Sequence, residues 1–388
     1  MPVKNRFAEL LPEITAWRRD IHENPELLFD VHRTAGKVAG LLRDFGCDEV
    51  VEGIGRTGVV GVIKGKSDAK GRVVGLRADM DALPIIEQTG VAYASKVPGL
   101  MHACGHDGHT SMLLGAARYL AETRNFDGTA VVIFQPAEEG GSGGREMCAE
   151  GMMERFGIQE VYGMHNMPGI PIGHFAIRPG AMMAAADQFD ITVTGKGGHA
   201  AKPHDCIDTT VVAAHIIIAL QTIASRNVDP LKQVVVSVCT VATDSTAHNV
   251  IPHVITMKGT VRTMDPGVQD FVERRVSEIA EGTALALGAT AEVDYQRGYP
   301  VTMNTPEHTG FAAQVASAVS GQVDTDAAPV MGSEDFSFML NERPGAYIFV
   351  GNGDTPMVHH PAYNFNDEVI PFGSSWYAGM VESRMPAV

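Results

Sequence analysis

Apolar residues recur at helical spacing over residues 6–21, where Phe7, Leu10, Leu11, Ile14, Trp17 and Ile21 share one face, and Asn24-Pro25 then marks a turn. A second helix is expected from about Thr34 to Phe45, stopped by Gly46. Short apolar runs of the kind that fill buried strands follow at 57–64, 72–77, 129–134 and 160–163. The last three lead straight into polar residues: Arg77-Ala-Asp-Met-Asp-Ala-Leu-Pro84, Gln135-Pro-Ala-Glu-Glu-Gly140 and Met164-His-Asn166. Open α/β sheets collect ligands beyond the carboxyl ends of their strands, so these segments are expected to converge on one site. With them belongs residues 100–112, Leu-Met-His-Ala-Cys-Gly-His-Asp-Gly-His-Thr-Ser-Met, which precede an apolar-periodic segment at 113–120. Gly105 and Gly108 read as glycines that let the backbone turn tightly between the candidate ligands.

From about Asp187 the pattern changes. Alternation over 187–194, a helix over 206–225, strands over 233–241 and 254–262, a helix over 268–287 and a strand over 290–296 give the order β-α-β-β-α-β. That order is the ferredoxin-like unit, expected here as an α+β insertion. The helical spacing at 311–319 and the strand at 346–350 then resume the α/β pattern, and Met357-Val-His-His-Pro-Ala-Tyr363 follows that strand. Two domains are therefore expected, one from 1–184 with 298–388 and the other from 185–297.

Composition narrows the partners. Acidic residues outnumber basic ones 46 to 30 and no Lys/Arg-rich run is present, which argues against nucleic acid or an anionic membrane as partner. The five cysteines, at 47, 104, 148, 206 and 239, are scattered and odd in number, which favours a reducing compartment over a disulfide framework. The first residues have no apolar leader pattern and the run 211–220 is interrupted by His215, so a cytoplasmic protein is expected.

The candidate chemistry is metal binding. Cys104, His106, Glu138, Glu139, His165, His359 and His360 supply thiolate, imidazole and carboxylate at strand ends, with Asp79, Asp81, Asp107 and His109 as further candidates. Zinc takes all three donor types, and a set of this size suffices for two ions and one base. In the doublet Glu138-Glu139 the side chains leave the backbone in different directions, so one can bind metal while the other handles a proton. Asp107 and His109, at a helix start, read instead as capping or orienting residues.

Six segments resemble the M20 metallopeptidase family, in the family's order over about residues 12–380: the Arg77–Pro84 and Gln135–Gly140 stretches, His102-Ala-Cys-Gly-His-Asp-Gly-His109, Gly163-Met-His-Asn166, Gly195-Lys-Gly-Gly-His-Ala200 and His359-His-Pro361. They are most similar to its amidohydrolase branch of hippurate hydrolases, N-acyl-amino-acid amidohydrolases and auxin-conjugate hydrolases. The resemblance implies an α/β catalytic domain with a central mixed sheet flanked by helices, zinc-peptidase-like, and an inserted ferredoxin-like lid or dimerisation domain. It implies Cys104, His106, Glu139, His165 and His359 as ligands of two divalent ions, zinc preferred with manganese, cobalt or nickel as alternatives. His359 rather than His360 matches the family's last ligand. Glu138 matches the general base, Asp81 the aspartate that orients a ligand or tunes the base, and His199 an electrophile reaching the partner subunit's site. Asn249 would add a polar substrate contact, and Arg262 would either clamp a substrate carboxylate or form a salt bridge within the lid.

The function implied is metal-dependent hydrolysis of the amide bond of N-acyl amino acids, hippurate-like, releasing a carboxylic acid and a free amino acid, by a metal-activated water with Glu138 as base. Its partners would be a small-molecule substrate and further copies of the chain, as homodimer or homotetramer. The rival readings are a metallo-dipeptidase or aminopeptidase of the same family, a cysteine hydrolase using Cys104 as nucleophile, and a non-catalytic metal-containing binding protein.

Overall fold

A computed structural model describes residues 5–387. They form two compact units, one from residues 5–182, 303–328 and 335–387, the other from 183–302 and 329–334.

In the first unit, helices α1 (Asn5–Glu23) and α2 (His32–Asp44) bury the stripes their spacing predicts, Phe7, Leu10, Ile14 and Trp17 in one and Val38, Ala39 and Leu42 in the other. There follow β1 (Glu49–Ile54), β2 (Gly58–Lys64), β3 (Val73–Asp79), α3 (His106–Thr123), β4 (Thr129–Gln135) and β5 (Glu160–Pro168). The sheet runs β1-β2-β4-β3-β5, then Gly345–Gly353, Phe175–Ala176 and Val323–Asp324. β4, β3, β5 and Gly345–Gly353 are mutually parallel, whereas β1, β2 and β4 pair antiparallel, so the sheet is mixed as expected. β1 has no counterpart in the sequence reading, because its edge position leaves Glu49 and Glu52 exposed and dilutes the apolar signal.

Two boundaries differ from expectation. β3 extends through Asp79 and β5 through Pro168, so Asp79, His165 and Asn166 lie within strands rather than in the loops beyond them. Neighbouring strands supply the reason: Asp79 is in register with Gln135 and His165 with Phe349, and this pairing overrides the weak strand preference of the charged residues. Along β3, Val74, Leu76 and Ala78 join the core shared with α1, α2, α3 and the helices Pro306–Ser320 and Ile370–Arg384. Arg77 and Asp79 alternate to the opposite side of the strand, where a buried polar network receives them.

The second unit is the expected β-α-β-β-α-β sandwich. Its antiparallel sheet runs Val234–Thr243, Val254–Thr263, Ala185–Thr194, Thr290–Tyr299, covered by the helices Thr209–Thr222 and Pro266–Ala286. Both helices start at an aspartate whose carboxylate accepts from first-turn amides, Asp208 from Thr210 at 2.9 Å and Asp265 from Gly267 at 2.8 Å. The stretch Thr209–Asn227 is long and apolar enough to cross a membrane by length and composition, yet Val212, Ala213, Ile216, Leu220 and Ile223 pack into this unit's own core.

Candidate metal centre

The parallel strands β4, β3, β5 and Gly345–Gly353 end on one edge of the sheet, and each contributes to a single cluster there. β3 ends at Asp79 with Asp81 two residues on, β4 leads to Glu138 and Glu139, β5 carries His165, and His359 follows Gly345–Gly353. The loop before α3 brings Cys104, and the first residue of α3 is His106.

These residues meet in overlapping groups of three whose donor atoms lie within 4.8 Å of one another: Cys104 with His106 and His165, Cys104 with Glu139 and His359, and His106 with Glu138 and Glu139. Cys104 Sγ is 3.3 Å from His165 Nε2, and Glu139 Oε1 is 3.2 Å from His359 Nε2. Of the histidine pair, His359 reaches the carboxylate, whereas His360 turns its Nδ1 back to accept the Ala362 amide at 3.0 Å. His359 and Ala137, which precedes Glu138, hold φ of 67° and 55°, a left-handed conformation unfavourable for residues with a Cβ.

The donor set fits a divalent cation on three counts. First, His106 donates Nδ1–H to the Asp81 carbonyl at 2.9 Å and His165 donates Nδ1–H to the Asn166 carbonyl at 2.6 Å. Each bond fixes the tautomer that leaves Nε2 as a lone-pair donor, as second partners of metal-bound histidines do. Second, His106 Nε2 is a buried polar atom with no hydrogen-bond partner, a costly arrangement that a cation would relieve. Third, the cluster carries excess negative charge. Burial opposes protonation of His106, but the Asp79, Asp81 and Glu139 carboxylates outweigh it and push its pKa up to about 10. Burial, with Glu139 and Glu138 behind it, also holds the Cys104 thiol well above its usual range. Protons held this way are those a bound cation displaces.

Asp81 frames one half of this cluster. Its two carboxylate oxygens each accept a backbone amide, from Glu138 and Glu139, both at 3.0 Å, while its carbonyl holds His106. The adjacent glutamates thus diverge from one fixed turn, with Glu139 in the groups containing Cys104 or His106 and Glu138 only in those without Cys104.

Asp79 and His109 also approach His106, but their donor atoms are committed elsewhere. Asp79 accepts from His109 Nδ1 at 2.7 Å and from Arg77 Nη1 at 2.7 Å, and His109 Nε2 accepts the Asn166 amide at 2.9 Å. Arg77 in turn reaches Gln135 and Asp335, so a buried polar network runs from β3 into the C-terminal part of the unit. Neither Asp107 nor His109 caps α3, contrary to the capping alternative; the N-cap is Gly105, without a side-chain cap bond. Asp107 instead accepts from Arg18 Nη1 at 3.3 Å and His22 Nδ1 at 2.8 Å, tying α3 to α1. Gly108 is also corrected: it lies inside α3, and the physical reason for a glycine is Phe365, whose ring would stand 2.3 Å from an added Cβ.

The second unit brings two predicted residues together. His199 lies on the two-stranded ribbon of Gly198–His199 and Val250–Ile251, paired with Val250, and the Asn249 carbonyl accepts the neighbouring Ala200 amide at 3.0 Å. Arg262 makes no salt bridge among the described residues; its guanidinium donates to Thr260 and to the Val261 carbonyl.

The sequence profile of peptidase family M20/M25/M40 matches residues 75–383. A hippurate hydrolase of Campylobacter jejuni is 43% identical over 95% of this chain and 96% of its own length. An N-acetylcysteine deacetylase of Bacillus subtilis is 39% identical over 93% and 94%. Among solved structures, a Bacillus subtilis protein described as a dinuclear metal-binding peptidase of the M20 family superposes with a TM-score of 0.85 at 34% identity, over 98% of this chain and all of that one.

Proposed function

Because the chain belongs to peptidase family M20/M25/M40, in its amidohydrolase branch, and is an enzyme acting on amide bonds, we propose that it hydrolyses N-acyl amino acids to a carboxylic acid and a free amino acid. Cys104, His106, Glu139, His165 and His359 would hold two divalent ions, Cys104 belonging both to the group with His106 and His165 and to the group with Glu139 and His359. Bound there, the ions would supply Lewis acidity to the amide carbonyl and lower the pKa of water, zinc being the metal best suited to a thiolate-imidazole-carboxylate set, with manganese, cobalt and nickel as alternatives.

The observation that carries the reading is the Asp81 frame, which holds two adjacent carboxylates from one turn for two jobs. Glu139 binds cation. Glu138, beside the cluster but outside the groups that contain Cys104, takes the proton of the attacking water and returns it to the departing nitrogen, which leaves as a free amine. The hippurate hydrolase and N-acetylcysteine deacetylase relatives act, by their names, on small N-acylated amino acids, which favours this class over free dipeptides. A panel of N-benzoyl and N-acetyl amino acids beside unblocked dipeptides tests it, with kcat/KM expected to be at least ~100-fold higher for the acylated series. Equal or better turnover of free dipeptides would move the assignment to a dipeptidase.

The second unit supports a homodimer. Its strand Val234–Thr243 is a sheet edge with Val235 and Val241 exposed, and Thr209–Thr222 exposes Val211 and Ile218. An unpaired edge beside apolar side chains suits antiparallel pairing with a second copy. His199 would then act across the dimer as an electrophile toward the reacting carbonyl, with Asn249 and Arg262 as substrate contacts. Mixing His199→Ala with Glu138→Gln protein after dissociation and reassociation is expected to restore activity that neither parent has. No recovery in verified mixed dimers would refute action across the interface. The net charge of -16 and the five cysteines, none disulfide-bonded among the described residues, fit a cytoplasmic enzyme.

A further inference from the structure

The turn that carries Glu138 and Glu139 is strained and has to be held from outside. It leaves β4 after Gln135 and enters the helix Gly143–Ala149. Within it Ala137 and Ser142 both adopt the left-handed conformation, at φ of 55° and 58°, which residues with a Cβ avoid. Asp81 holds the middle of the turn through the Glu138 and Glu139 amides. Its two ends are held by another buried carboxylate, that of Asp335. Gln135 Nε2 donates to Asp335 Oδ1 at 2.7 Å and to Oδ2 at 2.8 Å, and the Gly144 amide donates to Oδ2 at 2.8 Å. One side chain thus joins the entry of the turn to its exit.

Arg77 fixes that carboxylate in place. Its Nη2 donates to Asp335 Oδ1 at 3.0 Å, its Nε to Gln135 Oε1 at 2.9 Å and its Nη1 to Asp79 Oδ2 at 2.7 Å. The clamp is therefore referenced to β3, the strand that leads to Asp81. The Gln135 amide orientation follows from these partners, since the guanidinium can only donate to Oε1 and the carboxylate can only accept from Nε2. Arg77, Asp79, Gln135 and Asp335 are all fully buried, so no water replaces a partner that is lost. The fit at the exit is close: a Cβ on Gly144 would stand 2.8 Å from the Asp335 carbonyl oxygen, 3.1 Å from Gln135 Oε1 and 3.2 Å from Asp335 Oδ2. A carboxylate oxygen of Asp335 also lies within 4.8 Å of one of Glu138.

We propose that Asp335 is a positioning residue for the general base: by closing both ends of the turn it holds Glu138 where it can reach the attacking water. This rests on the assignment of Glu138 as base in the reading above. Asp335 acts through Glu138 and neither binds cation nor carries the proton. A displacement of about 1 Å at a reacting group can cost about 100-fold in rate, so a clamp of this kind matters to turnover even though it stands behind the turn.

A double-mutant cycle of Asp335→Asn with Glu138→Gln, measured on the full-length protein with an N-acyl amino acid at saturating divalent ion, tests the proposal. In Asp335→Asn the side chain keeps its shape, but its NH2 group must face either the Gly144 amide or the Arg77 guanidinium, both of which are donors. The variant is expected to lower kcat about 10- to 100-fold with KM within about threefold of the parent. In the Glu138→Gln background the same substitution is expected to lower the residual kcat by less than about threefold, because a base already removed cannot be misplaced. Gly144→Ala keeps every charge and crowds the same carboxylate; it is expected to repeat the pattern with a smaller fall, and it carries the test if Asp335→Asn does not fold. A fall by the same factor in both backgrounds would make Asp335 a general support of the fold or of the ligand Glu139, and overturns the inference. So does parental kcat in Asp335→Asn. Parental turnover in Glu138→Gln overturns the base assignment and this inference with it, whereas an impaired Glu138→Gln beside a parental Asp335→Asn overturns this inference alone.

Discussion

Glu138→Gln is expected to lower kcat by about 10³-fold while leaving KM and metal content close to those of the parent, because general acid-base catalysis typically contributes about 10²- to 10⁴-fold and the amide cannot take a proton. The variant is informative because the residue's backbone is held from outside its own side chain. Asp81 holds Glu138 through its backbone amide, and Glu139 keeps its own contact with Asp81, so the turn survives the substitution. Steady-state kinetics and elemental analysis on the same sample check both halves of the expectation. Turnover within tenfold of the parent would remove Glu138 from the role of base. Loss of metal along with activity would make it a ligand instead.

Exhaustive chelation is expected to abolish activity, by at least ~10³-fold, and readdition of a divalent ion to restore it. The same experiment has a readout in stability. The centre buries the carboxylates of Asp79, Asp81 and Glu138 beside the partnerless Nε2 of His106. A ligand that binds only the folded state stabilises it by about 2.7 kcal/mol at a free concentration a hundred times its Kd. Thermal unfolding followed with and without added ion should therefore shift upward with ion. Activity that survives complete removal would sink the metal mechanism and leave Cys104 as a candidate nucleophile, which Cys104→Ser would then expose.

How far the site was legible in the sequence varies residue by residue. Cys104, His106, Glu138, Glu139, His165 and His359 stand out because each is a metal-ligating side chain just before, at or just after the end of an apolar run, and the fold brings those ends to one edge. Asp79 and His109 were harder to interpret. Their residue types suit a metal site equally well, and only their partners show that Asp79 and His109 have no donor atom to spare. Asn166 sat in view inside the Gly163–Asn166 motif, yet a carboxamide beside a histidine carries no signal of its own. The Arg18, His22 and Asp107 cluster was invisible for a related reason, since it joins α1 to α3 across 85 and 89 residues of chain.

The amino-acid sequence alone determined the class of the fold: helical stripes at 3.6-residue spacing, buried apolar strand runs and the change to a β-α-β-β-α-β order are properties of neighbouring residues, and the period of a side-chain pattern dictates which element can bury it. It also determined which chemistry was on offer. Only the tertiary structure decided which of those groups hold one another and which remain available. The deciding contacts join Asn166 to His109, Cys104 and Tyr363 across 57, 62 and 197 residues. No periodicity spans such separations, and a hydrogen bond exists only where the packed chain brings a donor and an acceptor within about 3 Å.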